Sequence, residues 1–479
     1  MKVELLGGTS KEELEARIKN VAAAGKLSRF PGNVFEVLES CSDYEKNLKM
    51  IERIIKMGHK SIIEHDYLVF AVCDVSPIIE QTIIGNRLTS FTIKSRREVD
   101  FRNVGFYIPE FRDKNYNVHK DNEKLQEKYT KHMKYLFNQY AELVDNQIKT
   151  EDARFILPYS YHSNIIMGLD ARELEKLIIY LIKGKVSKIS ECKELGIQLY
   201  NICKESVPYL METIGNIESS KEEQNTESII KYVNSTIKEV PEIKILDNPK
   251  MVSYTPNPDD VIIQSAIMYN YQCSKEEALK IIEEAEAKDE NFKEKVMNII
   301  LNQEERRELE QVNFSFQIPI SLSILTHLTR HRMHSLLVPD FVPMWNLNNY
   351  IIPASMKALC EKKIKEIFEK NIEVYNEFKS LDVAEEDLIY FYLGGNMCNV
   401  LTTMNARTLQ WIARMRCCNK AQWQIRQIFQ NIVPQVKKVA PLLGEKLGAT
   451  CDTERKCYEG RECCGKIDAL LAKDKQNEK

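Results

Sequence analysis

The chain has 479 residues, too many for one ordinary core, so several domains are expected. A hydrophobic share of 43%, a charged share of 29%, and only 17 Gly and 15 Pro are those of a soluble, helix-rich globular protein rather than a loop-rich all-β one. A net charge of −3 gives no global pull toward nucleic acid or anionic membranes, and no stretch approaches the roughly 18 apolar residues that span a bilayer.

The opening MKVELLGGTSKEEL has no apolar run of the signal-peptide kind. With thirteen Cys, this predicts a cytoplasmic protein with free thiols or a metal site. GHKSIIEH follows at 58–65. His59 and His65 there are six apart, on opposite sides of a helix, which argues against zinc. Asp66–Val72 then alternates as a strand does, and Ser76-Pro77 reads as an N-cap followed by Pro at the first helical position. That helix ends in the polar tip Gly85–Ser90. Next, Phe91–Arg97 sets Lys94, Arg96 and Arg97 beside Ser90 and Ser95. Hydroxyls and guanidiniums so spaced can cradle a phosphate monoester; an edge strand protected by cations has the same composition. Asp170-Ala171-Arg172 opens a further helix.

The pattern then recurs. Asn313–Ile318 alternates with Phe314, Phe316 and Ile318 on one face, and Glu310 stands six residues before Phe316, as Glu64 does before Phe70. Pro319 marks the expected start of the next helix, which ends in the basic tip Arg330–Ser335. Arg87 and Ser90 correspond to Arg332 and Ser335 at an offset of 245, and Arg172 to Arg407 at an offset of 235. Arg330-His331-Arg332 is either an anion receptor or a solvated helix end whose cations complement the dipole. Arg416 lies on the apolar stripe of Leu409 and Ile412, where it needs either a bound anion or a buried partner such as a Glu. Cys451, Cys457, Cys463 and Cys464 are spaced C-x5-C-x5-C-C; four Cys in so short a stretch could hold zinc or an iron–sulfur cluster, but there is no C-x2-C pair and no metal is assigned to them.

These matches predict two tandem modules at 1–215 and 246–445, a polar linker at 216–245 and a Cys-bearing tail at 446–479. The expected fold class is α/β (α+β), each module a small sheet flanked by several helices.

The ordered motifs resemble the flavin-dependent thymidylate synthase family, also called thymidylate synthase complementing protein. Its hallmark is R-H-R-x-x-S-x-N-E-x-S-x-R, with G-H-x-S/T-x-x-E-H upstream and N-A-R-x-L, N-L-R and A-Q-x-E-I-R downstream. The first copy matches Gly58, His59, Ser61, Glu64 and His65, then Arg87, Ser90, Ser95 and Arg97, then the ARxILP stretch. The second matches Arg330, His331, Arg332 and Ser335, then Asn405-Ala406-Arg407, Arg416, Ala421-Gln422 and Ile425-Arg426. Neither has the hallmark Asn-Glu: Thr92 and Ile93 stand there in one copy, Leu337 and Val338 in the other.

The resemblance implies FAD contacts from His59, Ser61, Glu64, Arg330, His331, Arg332 and Arg416. It implies dUMP contacts from Arg87, Ser90, Ser95, Arg97 and Arg426. It further implies reductive methylation of dUMP to dTMP, with methylenetetrahydrofolate and NADPH as co-substrates and no protein nucleophile. Composite sites between the modules and a homodimer acting as a pseudo-tetramer are expected. A flavin- or nucleotide-binding paralogue without dTMP synthesis is the alternative reading. A nucleic-acid-binding scaffold is a further one, disfavoured by the acidic balance.

Overall fold

The computed structural model describes residues 1–215, 229–237 and 244–477. Most of the expected linker, 216–228 and 238–243, lies outside the described residues. Its described part forms the helix Ile229–Thr236.

The chain divides into two compact units, Met1–Ile243 with Phe341–Asn396, and Lys244–Asp340 with Met397–Lys479. The middle of the second copy, Phe341–Asn396, thus falls in the unit of the first, and the Cys-bearing tail in the unit of the second.

The first unit holds a four-stranded antiparallel sheet of β1 (Lys2–Leu5), β2 (Tyr67–Val75), β3 (Ser90–Ile93) and β4 (Ser163–Asp170), in the order β1-β2-β4-β3. Leu68, Phe70 and Val72 point inward from β2. Each buried side chain of this size contributes about 1.5–3 kcal/mol by leaving water. Ser76 caps the helix Pro77–Gly85 as expected, its Oγ accepting from Ile78 N at 3.2 Å. Asp170 caps Ala171–Lys183 by accepting from Glu173 N at 2.9 Å.

The second unit repeats this sheet with β5 (Lys250–Tyr254), β6 (Asn313–Ser321), β7 (Ser335–Leu337) and β8 (Met397–Asn405), in the order β5-β6-β8-β7. Phe314, Phe316 and Ile318 are fully buried, as the alternation requires. Asn405 caps Ala406–Arg416 by accepting from Thr408 N at 2.8 Å. The edge registers coincide: Ser90 faces Gly168, and Ser335 faces Thr403. The central strands differ by one residue. Asp74, at φ 55°, bulges out of β2 where β6 runs without a shift. That extra residue accounts for the change of offset from 246 at Phe70 and Phe316 to 245 at Arg87 and Arg332.

Pro319 does not open a helix. It lies inside β6, opposite Asn399, and the helix Leu322–Thr329 begins after Ser321. β5 pairs with β6 only from Phe314 to Gln317, so Pro319 stands where that neighbour has ended and a missing N–H is tolerated.

Within the first unit, equivalent pieces of the two copies meet as in an isologous dimer. Tyr159 N donates to Tyr392 O at 2.6 Å and Gly394 N to Leu157 O at 2.9 Å, across the bridge Pro158–Leu393. Leu157 and Tyr159 correspond to Tyr392 and Gly394 at the offset of 235, and they bond in crossed order about Pro158 and Leu393, the signature of a local two-fold. Gly395 sits at this crossing, where a Cβ would come within 3.0 Å of Phe155 O. The helices Asn122–Asp145 and Ala354–Ser380 pack beside it, with His132 Nε2 and Asn371 Oδ1 2.9 Å apart.

Candidate active site

In the first unit three guanidiniums gather behind the edge strand. Arg96 is buried and holds Glu80 Oε2 at 2.9 Å and the hydroxyl of Tyr161. Arg97 Nε donates to Glu151 Oε2 at 2.6 Å, and its backbone N–H donates to Ser95 Oγ at 3.3 Å. Arg154, 3% exposed, donates from Nε to Glu151 O at 3.1 Å. Burial, and then the neighbouring Arg96, push Arg154 down to about 9, with Arg97 adding to the repulsion and Glu151 and Asp152 opposing it. Arg154 therefore keeps its charge at neutral pH, beside the carboxylates of Glu151 and Asp152.

Lys94, Arg96 and Arg97 lie beyond the end of β3, so the edge-strand reading covers none of them. Arg154 was not singled out from sequence. It belongs to the ARxILP stretch, whose Arg and Pro were the available signal. Only the fold shows that a short helix, Thr150–Ala153, brings it to Arg97.

In the second unit, Arg416 Nε donates to His331 Nε2 at 3.0 Å, and its Nη2 donates to His327 O at 3.0 Å. Burial lowers His331 to about 3, reinforced by the charge of Arg416, by His334 and by Arg330. The imidazole is neutral at physiological pH. Because Nε2 accepts, the proton sits on Nδ1. His334 is buried between Thr402 Oγ1, 2.6 Å from its Nδ1, and Leu328 O, 3.2 Å from its Nε2. Arg330 and Arg332 are exposed at the same helix end. A fixed guanidinium, a neutral imidazole and two exposed cations suit the phosphates of a dinucleotide.

The remaining expected residues are more dispersed. His59, Ser61 and Glu64 are exposed along the turn Lys60–His65, where Glu64 pairs with Arg172. Glu310 pairs with Arg407 at 2.5 Å, the same contact in the second copy. Arg87 and Ser90 are exposed at the entry to β3. Arg426 is half-buried, and its Nη1 donates to Asn419 O at 2.8 Å and Ala421 O at 3.2 Å.

One equivalence was invisible in sequence. Ser76 Oγ donates to Glu191 Oε2 at 2.5 Å, and Ser321 Oγ donates to Gln424 Oε1 at 2.5 Å. Glu191 and Gln424 are each the second residue of their helices, Ser190–Ser206 and Trp423–Val439. The first copy thus keeps the Glu of A-Q-x-E-I-R that the second has replaced with Gln. In the tail, Cys463 Sγ accepts from Gly465 N at 3.4 Å and Cys464 Sγ from Asn419 Nδ2 at 3.6 Å. Among the described residues no three His, Cys, Asp or Glu side chains are grouped to hold a metal ion, and no helix is long and apolar enough to cross a membrane.

The family model described as thymidylate synthase complementing protein matches residues 12–209 and again 250–442. The chain belongs to that family. A flavin-dependent thymidylate synthase of Clostridium tetani is 30% identical over 238 residues, covering 45% of this chain and 92% of its own length. One from Geobacter sulfurreducens is 26% identical over 217 residues, covering 45% and 87%. Among solved structures, thymidylate synthase X of Helicobacter pylori with FAD and dUMP is 22% identical, with a TM-score of 0.34 over 45% of this chain and 99% of that one. The UMP/dUMP methylase PolB of Streptomyces cacaoi is 21% identical, with a TM-score of 0.36 over 44% and 93%. Each relative matches less than half of a chain in which the family model occurs twice, as expected for a tandem member of the thymidylate synthase complementing protein family.

Proposed function

We propose that this chain is an FAD-dependent thymidylate synthase that methylates dUMP reductively to dTMP, using methylenetetrahydrofolate for carbon and NADPH for reducing equivalents. The observation that carries this reading is the division of the family's determinants between two modules of one chain: a three-arginine centre in the first and the Arg416–His331 pair in the second.

The residues present fit both groups. A phosphate monoester requires fixed cations and a hydroxyl, which Arg97, Arg154 and Ser95 supply, with Arg87 and Ser90 as further contacts to the nucleotide. The FAD pyrophosphate requires several donors, which Arg330, Arg332, Arg416 and the Nδ1–H of His331 supply. When bound, the flavin supplies the redox chemistry of the reaction. The chain's own work is to hold the nucleotide, keep His331 neutral and fix the guanidiniums. The tandem repeat supports a homodimer that acts as a pseudo-tetramer, and the thirteen thiols support a reducing cytoplasm.

A second reading is favoured by one observation. The hallmark Asn-Glu is replaced by Thr92 and by Ile93, which is buried, so the first copy presents no carboxylate there. A paralogue that binds flavin and nucleotide without making dTMP would have that property. Rescue of a thymidine auxotroph by the intact chain separates the two: growth without thymidine supports synthesis. No growth from a chain that is expressed and purifies yellow supports the paralogue.

A further inference from the structure

We infer that each chain binds one nucleotide monophosphate rather than two, because the second copy's counterpart of the arginine centre is an aromatic plug. The inference rests on the nucleotide-binding reading above and adds the number of sites.

The local two-fold in the first unit fixes the correspondence. Leu157 and Tyr159 exchange backbone hydrogen bonds with Tyr392 and Gly394, so the offset of 235 holds through this stretch. Arg154 then corresponds to Ile389, which is 1% exposed and has no charge to offer an anion. At the offset of 245 that governs the hallmark, Arg96 corresponds to Phe341 and Arg97 to Val342.

The space these cations would serve is filled. Phe341 stacks on Trp345 at 5.5 Å and on Tyr392 at 6.0 Å, and Tyr159 approaches Phe341 at 5.9 Å. The Tyr392 hydroxyl is turned to Phe341 O at 2.9 Å, which fastens the stack to the backbone. Tyr161, the partner of Arg96, corresponds to Asn396, whose amide is spent on Leu393 N at 2.7 Å and Leu347 O at 2.9 Å. Asp152 corresponds to Asp387, which holds the guanidinium of Arg112 on both oxygens, at 2.9 and 2.5 Å. An anion entering here would displace Phe341 from its stack on the buried rings of Tyr159, Trp345 and Tyr392 and compete with a carboxylate already paired, both unfavourable. The symmetric contacts survive while the chemistry has been kept on one side only.

Equilibrium dialysis of the intact chain, loaded with FAD, against labelled dUMP tests this directly. Saturation at one dUMP per chain is expected. Saturation at two would overturn the single-site inference and leave nucleotide binding intact, whereas no retained dUMP would overturn the nucleotide reading itself. Arg154→Met, checked for native circular dichroism, is expected to retain no dUMP at concentrations that saturate the wild type. Retention of one per chain by this variant would place the nucleotide elsewhere and overturn the assignment.

Discussion

Arg416 Nε donates to His331 Nε2, joining two segments 85 residues apart at the basic tip that ends the apolar helix Leu322–Thr329. The contact explains how an Arg is tolerated on the stripe of Leu409 and Ile412: its guanidinium is satisfied by an imidazole and a backbone carbonyl. It also sets the imidazole tautomer, so the pair presents one orientation to a ligand.

Replacing Arg416 with Lys keeps a charge and removes the fork. Loss of one charge-assisted hydrogen bond, worth about 1.5–3 kcal/mol, is expected to raise the Kd for FAD roughly 10- to 100-fold. Flavin fluorescence titration measures it, and an unchanged Kd would reduce the pair to a helix-end fastening.

His331 carries a pH signature of its own. Its folded-state pKa of about 3 lies below the ordinary value of 6.5, so the unfolded chain takes up the proton first as pH falls. The stability that this residue contributes is present above about 6.5 and is lost as pH drops toward 3. His331→Gln is expected to flatten that part of the stability profile measured by denaturant unfolding between pH 7 and pH 4. An unaltered profile would contradict a neutral, half-buried imidazole.

At the nucleotide centre, Arg97→Ala is expected to weaken dUMP at least tenfold. Glu151→Gln is expected to tighten it several-fold, because Glu151 Oε2 occupies Arg97 Nε at 2.6 Å in the free protein. Calorimetric titration of both variants reads the two opposite signs. The same sign in both would remove Arg97 from the phosphate site.

Glu191 is fully buried, and burial raises it from 4.5 to about 7 against the hydrogen bonds of Ser76 and Tyr390. Between those values the folded chain holds more protons than the unfolded one, so stability falls as pH rises through the window, by on the order of 3 kcal/mol. Glu191→Gln makes the substitution that Gln424 already represents in the second copy. Its melting temperature relative to wild type is expected to rise from pH 5 to pH 8. A constant difference would show that Glu191 does not titrate there.

The repeat was legible because it resides in local patterns: alternation at Phe314, Phe316 and Ile318, the Ser76-Pro77 cap, and motif order. β4 and β8 were not. Their segments carry Gly168 and polar Asn164, Asn399, Thr402 and Thr403, and lack the Val- and Ile-rich alternation of a strand read in isolation. Pro319 misled because Pro more often opens a helix than lies in a strand. Only pairing shows that β5 has ended there. Arg97 and Arg332 were legible as motif residues, but the gathering of Arg96, Arg97 and Arg154 depends on a return of the chain that no spacing encodes. The local two-fold at Pro158 and Leu393 is likewise tertiary, so the exchange of Arg154 for Ile389 had no visible meaning before the fold was known.

The most direct measurement of the central claim is tritium release from 5-tritiated dUMP by the intact chain with FAD, NADPH and methylenetetrahydrofolate. Release that requires all three, is matched by dTMP and disappears in Arg154→Met is the expected result. A chain that binds both FAD and dUMP yet releases no tritium and forms no dTMP would contradict it.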